Sequence, residues 1–137
     1  MSHPVPARHT ASLAALWFGL FAAPAGWSVQ LLVLYPLVAH GCFPREHPLA
    51  MPVTPSLSTV TGLVTAVALA VALLAGLVAL RSWRAAQPDR ESPGLHLLET
   101  GEGRSRFMAF GGVVLSGLFL FGILMNAVPL LLLGPCG

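Results

Sequence analysis

Three long stretches without any charged residue constrain the fold of this chain more than any other feature. They cover residues 13–39, 57–80 and 107–131. A helix needs about 20 predominantly apolar residues to cross the hydrocarbon core of a bilayer, and each stretch is long enough. The stretches are continuously apolar, whereas the strands of a membrane β-barrel alternate apolar and polar residues. The sequence therefore predicts an all-α membrane protein, a single transmembrane domain over residues 1–137 with three helices.

The composition supports a membrane location. Of the 137 residues, 55% are hydrophobic and 9% are charged, whereas soluble domains carry about 25% charged residues. So few charges cannot cover a soluble globule with polar surface. The net charge is only +2 and the arginines flank the apolar stretches, so the chain lacks the basic surface of a nucleic-acid-binding protein. The expected surroundings are lipids.

The arginines predict an orientation in the membrane. Only Arg45 lies between the first and second stretches, whereas Arg8 lies in the N-terminal tail and five arginines lie between the second and third stretches. Loops rich in arginine and lysine stay in the cytoplasm. The N-terminus and the loop at 82–105 are therefore predicted to be cytoplasmic, and the loop at 41–55 and the C-terminus periplasmic, in a multi-pass protein of the bacterial inner membrane. The five arginines are Arg81, Arg84, Arg90, Arg104 and Arg106.

Prolines mark where the helices are expected to begin, bend or end. Thr54-Pro55 is predicted to open the second helix, since threonine caps helices and proline suits their first turn. Pro24 is predicted to kink the first helix. Pro129 removes a main-chain donor, so the third helix is expected to fray or kink just past Val128.

Small residues repeat every four positions in the second and third stretches. Membrane helices pack through such positions because small side chains let two backbones approach closely. Two of these seams belong to the second helix, so three helices cannot bury all of them among themselves, and larger membrane-protein subunits are expected as partners. The alternative is that an alanine-rich composition produces this spacing without any partner. The seams are Gly62, Ala66 and Ala70, then Ala68, Ala72 and Gly76, then Gly112 and Ser116.

Polar residues inside the spans are few. Gln30, Tyr35 and Asn126 lie in the outer halves of the first and third helices, and they are predicted to form an outer-leaflet hydrogen-bond cluster that holds these helices to each other or to a neighbour. A transporter or channel needs acidic or basic groups in the middle of its spans, and the sequence has none there. Haem ligation needs two histidines in the middle of the spans, and the sequence has none there either. No nucleophile or acid–base arrangement can be argued from the spacing, so we expect no enzymatic activity and no cofactor.

Cys42 and Cys136 each lie just beyond the end of a predicted helix, on the predicted periplasmic side. Disulfides persist in the oxidising periplasm, so a bridge between them is predicted, worth roughly 4 kcal/mol in the chain-entropy model. A lipid-attachment motif at residues 39–42 is disfavoured, because histidine fits it poorly at position 40. Copper binding is the alternative, since sulfur and imidazole ligands suit that metal. Its candidate ligands are His40, Cys42, His47, Met51 and Cys136.

Two segments carry a resemblance to a known group of proteins. They are WFGLFAAPAGWSVQLLVLYPLVAHGC at 17–42 and RFMAFGGVVLSGLFLFGILMNAVPLLLLGPC at 106–136. The residues that carry the resemblance are Pro24, Trp27, Tyr35 and Cys42 in the first segment and Pro135 and Cys136 in the second. In this pattern the chain resembles small three-helix membrane proteins that occur alongside bacterial haem-copper oxidases of the cytochrome c oxidase type.

The resemblance implies association with a respiratory complex. We therefore expect a non-catalytic integral subunit of a bacterial respiratory complex, a cytochrome c oxidase in particular, that serves packing, stability or assembly. The alternative is a periplasm-facing copper-handling or assembly factor for a haem-copper oxidase, with the cysteines as metal ligands. The resemblance carries over no catalytic residue.

Overall fold

Three long helices make up the described part of the chain. The computed structural model describes residues 12–44, 47–86 and 102–136. The helices are α1 (Leu13–Cys42), α2 (Leu57–Ala85) and α3 (Glu102–Leu132). Each helix contacts both of the others. Helices α1 and α3 run in the same direction and α2 runs against them, so the bundle has two distinct ends.

All three helices are long enough and apolar enough to cross a membrane. Many of their large apolar side chains face outward, including Leu32, Leu118 and Leu131. In water such exposure would be costly, but in a bilayer the lipid tails are as apolar as leucine. The predicted class, all-helical with three helices that could span a membrane, is confirmed for the described residues, and the three helices suit a multi-pass membrane protein.

The helices extend beyond the apolar stretches that predicted them. Helix α1 continues to Cys42, α2 continues from Leu80 to Ala85, and α3 begins at Glu102 rather than at residue 107. Arginine is a good helix former, and its long side chain can reach water from a helix end. The turns that extend α2 and α3 carry these arginines, so they can stay helical while the charged side chains reach water. The predicted loop at 82–105 is shortened from both sides, and its residues 87–101 lie outside the described part.

Helix α2 begins where the second apolar stretch begins, but Thr54 does not cap it as predicted. The helix begins at Leu57, not at Thr54-Pro55, and Ser56 at its N-cap makes no side-chain capping bond. The Leu57 N–H donates to Thr54 O at 3.1 Å, so residues 54–56 form a turn that leads into the helix. By contrast, α1 has a side-chain cap, because Ser12 Oγ accepts from the Ala15 N–H at 3.2 Å.

The internal prolines do not end their helices. Pro24 and Pro36 lie inside α1, and Pro129 lies inside α3. Helix α3 continues through the point where fraying or a kink was predicted, just past Val128, and runs to Leu132, and the Leu133 N–H donates to Pro129 O at 2.9 Å. Proline costs its helix one hydrogen bond, yet the neighbouring turns remain helical.

The inner face of α2 consists almost entirely of small residues. Its buried positions recur every three or four residues, the spacing of one helix face. Because these side chains are short, the backbones of α1 and α3 come close to α2. The buried residues are Leu57, Thr61, Thr65, Ala68, Ala72, Ala75, Ala79 and Ser82.

The three helices approach one another closely at Gly19, Ala79 and Gly112. A Cβ added at Gly112 would lie 3.0 Å from Gly19 O and 3.1 Å from Ala79 Cβ. A Cβ added at Gly19 would lie 3.1 Å from Ala79 Cβ. An added Cβ at either position would be in unusually tight contact, and because the atoms opposite are backbone or a methyl group, the neighbouring helix would have to shift by a few tenths of an ångström. We call this contact the glycine junction.

The glycine junction predicts the effect of one added methyl group. Gly112→Ala should push α3 away from α1 and lower the free energy of unfolding by about 1–3 kcal/mol, the usual cost of overpacking. The matched control is Gly117→Ala on the same helix, where an added Cβ meets nothing within 4 Å. Denaturant unfolding of both variants in detergent, followed by circular dichroism, checks this. Equal unfolding midpoints for the two variants would contradict the close contact.

Candidate functional site

Of the two predicted seams on α2, one is packed inside the bundle. Ala68 and Ala72 are buried in the core, and Gly76 faces α3, where an added Cβ would lie 3.4 Å from Ser116 Cβ. The predicted pair on α3 belongs to the same contact. Gly112 is in the glycine junction, and the buried Ser116 Oγ donates to Gly19 O at 3.4 Å. The structure thus brings these two predicted seams together.

The other predicted seam of α2 points out of the bundle. Gly62, Ala66 and Ala70 are exposed, and a Cβ added at Gly62 would meet nothing within 4 Å. Ser58, one turn earlier, is exposed in the same row. We call Ser58, Gly62, Ala66 and Ala70 the exposed seam. Its twelve-residue span corresponds to about 18 Å of helix.

The small residues of the exposed seam have larger exposed side chains beside them. Leu63 and Val67, which each follow a seam residue, are exposed too. Lipid tails need no small residues opposite them, whereas a second helix gains close backbone contact at such positions. The exposed seam therefore has the residue type and spacing through which membrane helices pack.

The predicted outer-leaflet polar cluster does not form. Gln30 is 1% exposed, but Tyr35 is 80% exposed and Asn126 is also exposed. The three residues lie on different faces of their helices, so they do not share one hydrogen-bond network among the described residues. Tyr35 and Asn126 face the surroundings of the bundle instead.

Gln30 bonds to α2 rather than to α3. Its Nε2 donates to Thr65 Oγ1 at 3.3 Å, and the Thr65 hydroxyl donates to Thr61 O at 2.9 Å. Both threonines are buried. The four-residue spacing of the two threonines is visible in the sequence. The predicted cluster, however, contains only amide and phenol side chains and leaves threonine out.

Cys42 and Cys136 lie together at one end of the bundle. Their sulfurs are 1.98 Å apart and their Cα atoms 5.4 Å apart, the separation of a disulfide. Cys42 is fully buried and its Sγ lies 3.2 Å from Pro135 O. Because α1 runs on to Cys42, its last turn carries the sulfur to the segment that follows α3. We call this the disulfide end, and the opposite end, with Arg81, Arg84, Arg104 and Arg106, the arginine end.

The loop after α1 folds back over the disulfide end. The Leu49 N–H donates to Cys42 O at 2.9 Å, and the Val53 N–H donates to Gly41 O at 3.0 Å. Gly41 itself packs on the start of α2, since a Cβ there would lie 2.6 Å from Leu57 Cδ2. These contacts hold the described part of the loop against the helix ends.

The candidate copper ligands are not gathered at one point. His40, His47 and Met51 are exposed, and both cysteine sulfurs are taken up by the disulfide. In the described ranges, no group of three or more His, Cys, Asp or Glu side chains is arranged to hold a metal ion. The disulfide and the predicted copper site use the same sulfurs, so the two exclude each other.

An open cleft lies beside the disulfide end, between the end of α1 and the start of α2. Its volume is about 350 Å³ and its lining is mostly apolar. His40 is the one ionisable side chain among the residues that line it. Those residues are Pro36, Leu37, His40, Gly41, Val53, Thr54 and Leu57.

Neither a protein-family model, nor a curated protein, nor a solved structure shows significant similarity to the chain. The resemblance to oxidase-associated proteins therefore stays a prediction that rests on the residues quoted for it.

The disulfide predicts a response to reductant. The bridge closes a sequence separation of 94 residues, so its loss should lower the free energy of unfolding by about 4 kcal/mol in the chain-entropy model. Unfolding in detergent with and without a membrane-permeant reductant measures this. The double variant Cys42→Ala/Cys136→Ala is the control and should not respond to reductant. Two free thiols in the unreduced wild-type protein would contradict the bridge.

Proposed function

We propose that the protein is a non-catalytic integral subunit of a bacterial respiratory complex, most specifically of a cytochrome c oxidase, and that it serves packing, stability or assembly. The exposed seam is the single observation that carries this proposal. A larger subunit that lays one transmembrane helix along Ser58, Gly62, Ala66 and Ala70 would bury this row of small residues, which the bundle leaves open.

The chemistry of the spans supports a structural role. The apolar stretches carry no Asp, Glu, Lys or Arg, and groups of that kind mark ion and proton pathways inside membranes. With three helices packed through glycine and alanine, little room is left between them for a substrate path. Helix packing against a partner needs neither charged groups inside the membrane nor a substrate path.

The choice of a respiratory oxidase as partner rests on the resemblance. The Pro-x-x-Trp pattern at Pro24 and Trp27 and the ending at Pro135-Cys136 are the residues that suggest it. Trp27 packs on Phe119 with ring centroids 5.3 Å apart, so this part of the pattern contributes to the contact between α1 and α3. The two segments of the resemblance thus meet inside the bundle.

We further infer that the arginine end faces the cytoplasm and the disulfide end the periplasm of a bacterial inner membrane. Four described arginines lie at one end, and arginine-rich ends stay in the cytoplasm. An oxidising compartment at the other end suits the disulfide.

Single-cysteine labelling tests this orientation. Ala50 in the loop and Ala85 at the end of α2 are both exposed, and the native sulfurs are bridged. In spheroplasts, a membrane-impermeant maleimide should label Ala50→Cys directly and Ala85→Cys only after permeabilisation. The reverse pattern would overturn the orientation.

Co-purification from the native host in mild detergent tests the proposed function. The tagged wild-type chain should recover oxidase or other respiratory subunits at stoichiometric levels, and Ala66→Leu should lose most of them because leucine fills the exposed seam. The matched control is Ala25→Leu, an exposed alanine on α1, which should retain the partners.

Three results would count against the proposal. A wild-type chain that purifies alone contradicts a stable complex. Equal recovery with Ala66→Leu and Ala25→Leu contradicts the exposed seam as the contact. Bound copper together with two free thiols in the purified protein would favour the alternative, a periplasm-facing copper-handling factor.

A further inference from the structure

The Gln30 carboxamide has one end without a partner. Its Nε2 bonds to Thr65 Oγ1, but its buried Oε1 accepts no hydrogen bond from any residue in the described part of the chain. Inside a membrane, lipid tails offer no donors, so an unpaired amide oxygen is costly there. The carboxamide therefore needs a donor that the three helices do not supply.

Exchanging the positions of Oε1 and Nε2 does not supply the missing hydrogen-bond partner. In the reversed orientation Oε1 would face the Thr65 hydroxyl, which already donates to Thr61 O at 2.9 Å. Nε2, with its two hydrogens, would then be the end without a partner. The missing group must donate in one orientation and accept in the other, and water does both.

The burial of Gln30 limits what can reach it. At 1% exposure, its side chain is out of reach of a lipid headgroup or of a side chain from a neighbouring subunit. The α2 face that meets it carries Thr61, Thr65 and Ala68, all short and buried. A molecule that enters this contact has to be about the size of one water. A buried water in turn needs two or more polar partners.

The cleft at the disulfide end lies between the same two helices that carry Gln30 and Thr65. Leu37 and Gly41 of α1 and Leu57 of α2 line the cleft, and Gln30 and Thr65 lie two turns further along the same helices. Eight residues separate Leu57 from Thr65, about 12 Å of helix. Between them, the Thr61 hydroxyl donates to Ser58 O at 3.0 Å, which places a polar group along the way.

We propose that the Gln30 carboxamide binds a water molecule in the α1–α2 contact, and that this water enters from the cleft at the disulfide end. The site goes beyond the proposed function and does not depend on it. With this water, the contact of Gln30 with α2 is polar and hydrated, although it lies within mostly apolar helices.

Nuclear magnetic resonance on the full chain in lipid nanodiscs tests the site. The sequence holds two glutamines, Gln30 and Gln87, so ¹⁵N-glutamine labelling gives two side-chain amide signals. Loss of one signal in Gln30→Leu assigns it, and Gln87→Asn provides the same assignment if the first variant does not fold. Magnetisation transfer from water to the Gln30 amide hydrogens is the expected result. Transfer from lipid acyl chains alone, with none from water, would overturn the site.

Deuterium exchange of the same amide tests the route. Val53→Trp should narrow the cleft and slow exchange of the Gln30 side-chain amide several-fold. The control is Leu63→Trp, an exposed position on α2 away from the cleft, which should leave the rate unchanged. Equal exchange rates in the two variants would overturn entry through the cleft.

Discussion

The glycine junction is the contact on which the rest of the structure depends. Helices in lipid gain little from hiding apolar surface, so close backbone packing has to hold them together. At Gly19, Ala79 and Gly112 the three backbones come as near as main-chain and methyl atoms allow. This contact fixes which face of α2 turns inward, and Ser116 adds a hydrogen bond to Gly19 O on the same level.

Two further contacts hold the bundle towards the disulfide end. Gln30 ties α1 to α2 through the Thr65 hydroxyl, and the Cys42–Cys136 bridge ties α1 to the segment after α3. The first joins one pair of helices and the second joins another, so each helix is held at more than one level. The glycine junction sets the position of α1 relative to the other helices, and these two contacts maintain that position as far as Cys42.

The sequence predicted the three spans and the cysteine pair because both depend on local features, namely long uncharged runs and positions just beyond helix ends. It could not decide which seam of α2 lies inside. Both seams have the same four-residue spacing, and the choice depends on how Ala79 fits between Gly19 and Gly112. The start of α2 at Leu57 agrees with the apolar stretch, but the sequence did not reveal that Ser56 rather than Thr54 stands at the N-cap, because the turn at 54–56 uses main-chain bonds. Gln30 was paired with the wrong residues because buried threonines look apolar in a hydropathy pattern.

The exposed seam and the Gln30 site lie in the same half of α2 but on different faces. Ala66 follows Thr65 by one position, and successive helix residues are rotated by about 100°. A helix seated along Gly62, Ala66 and Ala70 would therefore lie beside the α1–α2 contact and not over it. The proposed partner contact and the proposed hydration of Gln30 thus involve different faces of one helix. A leucine at position 66 changes the first without touching the carboxamide.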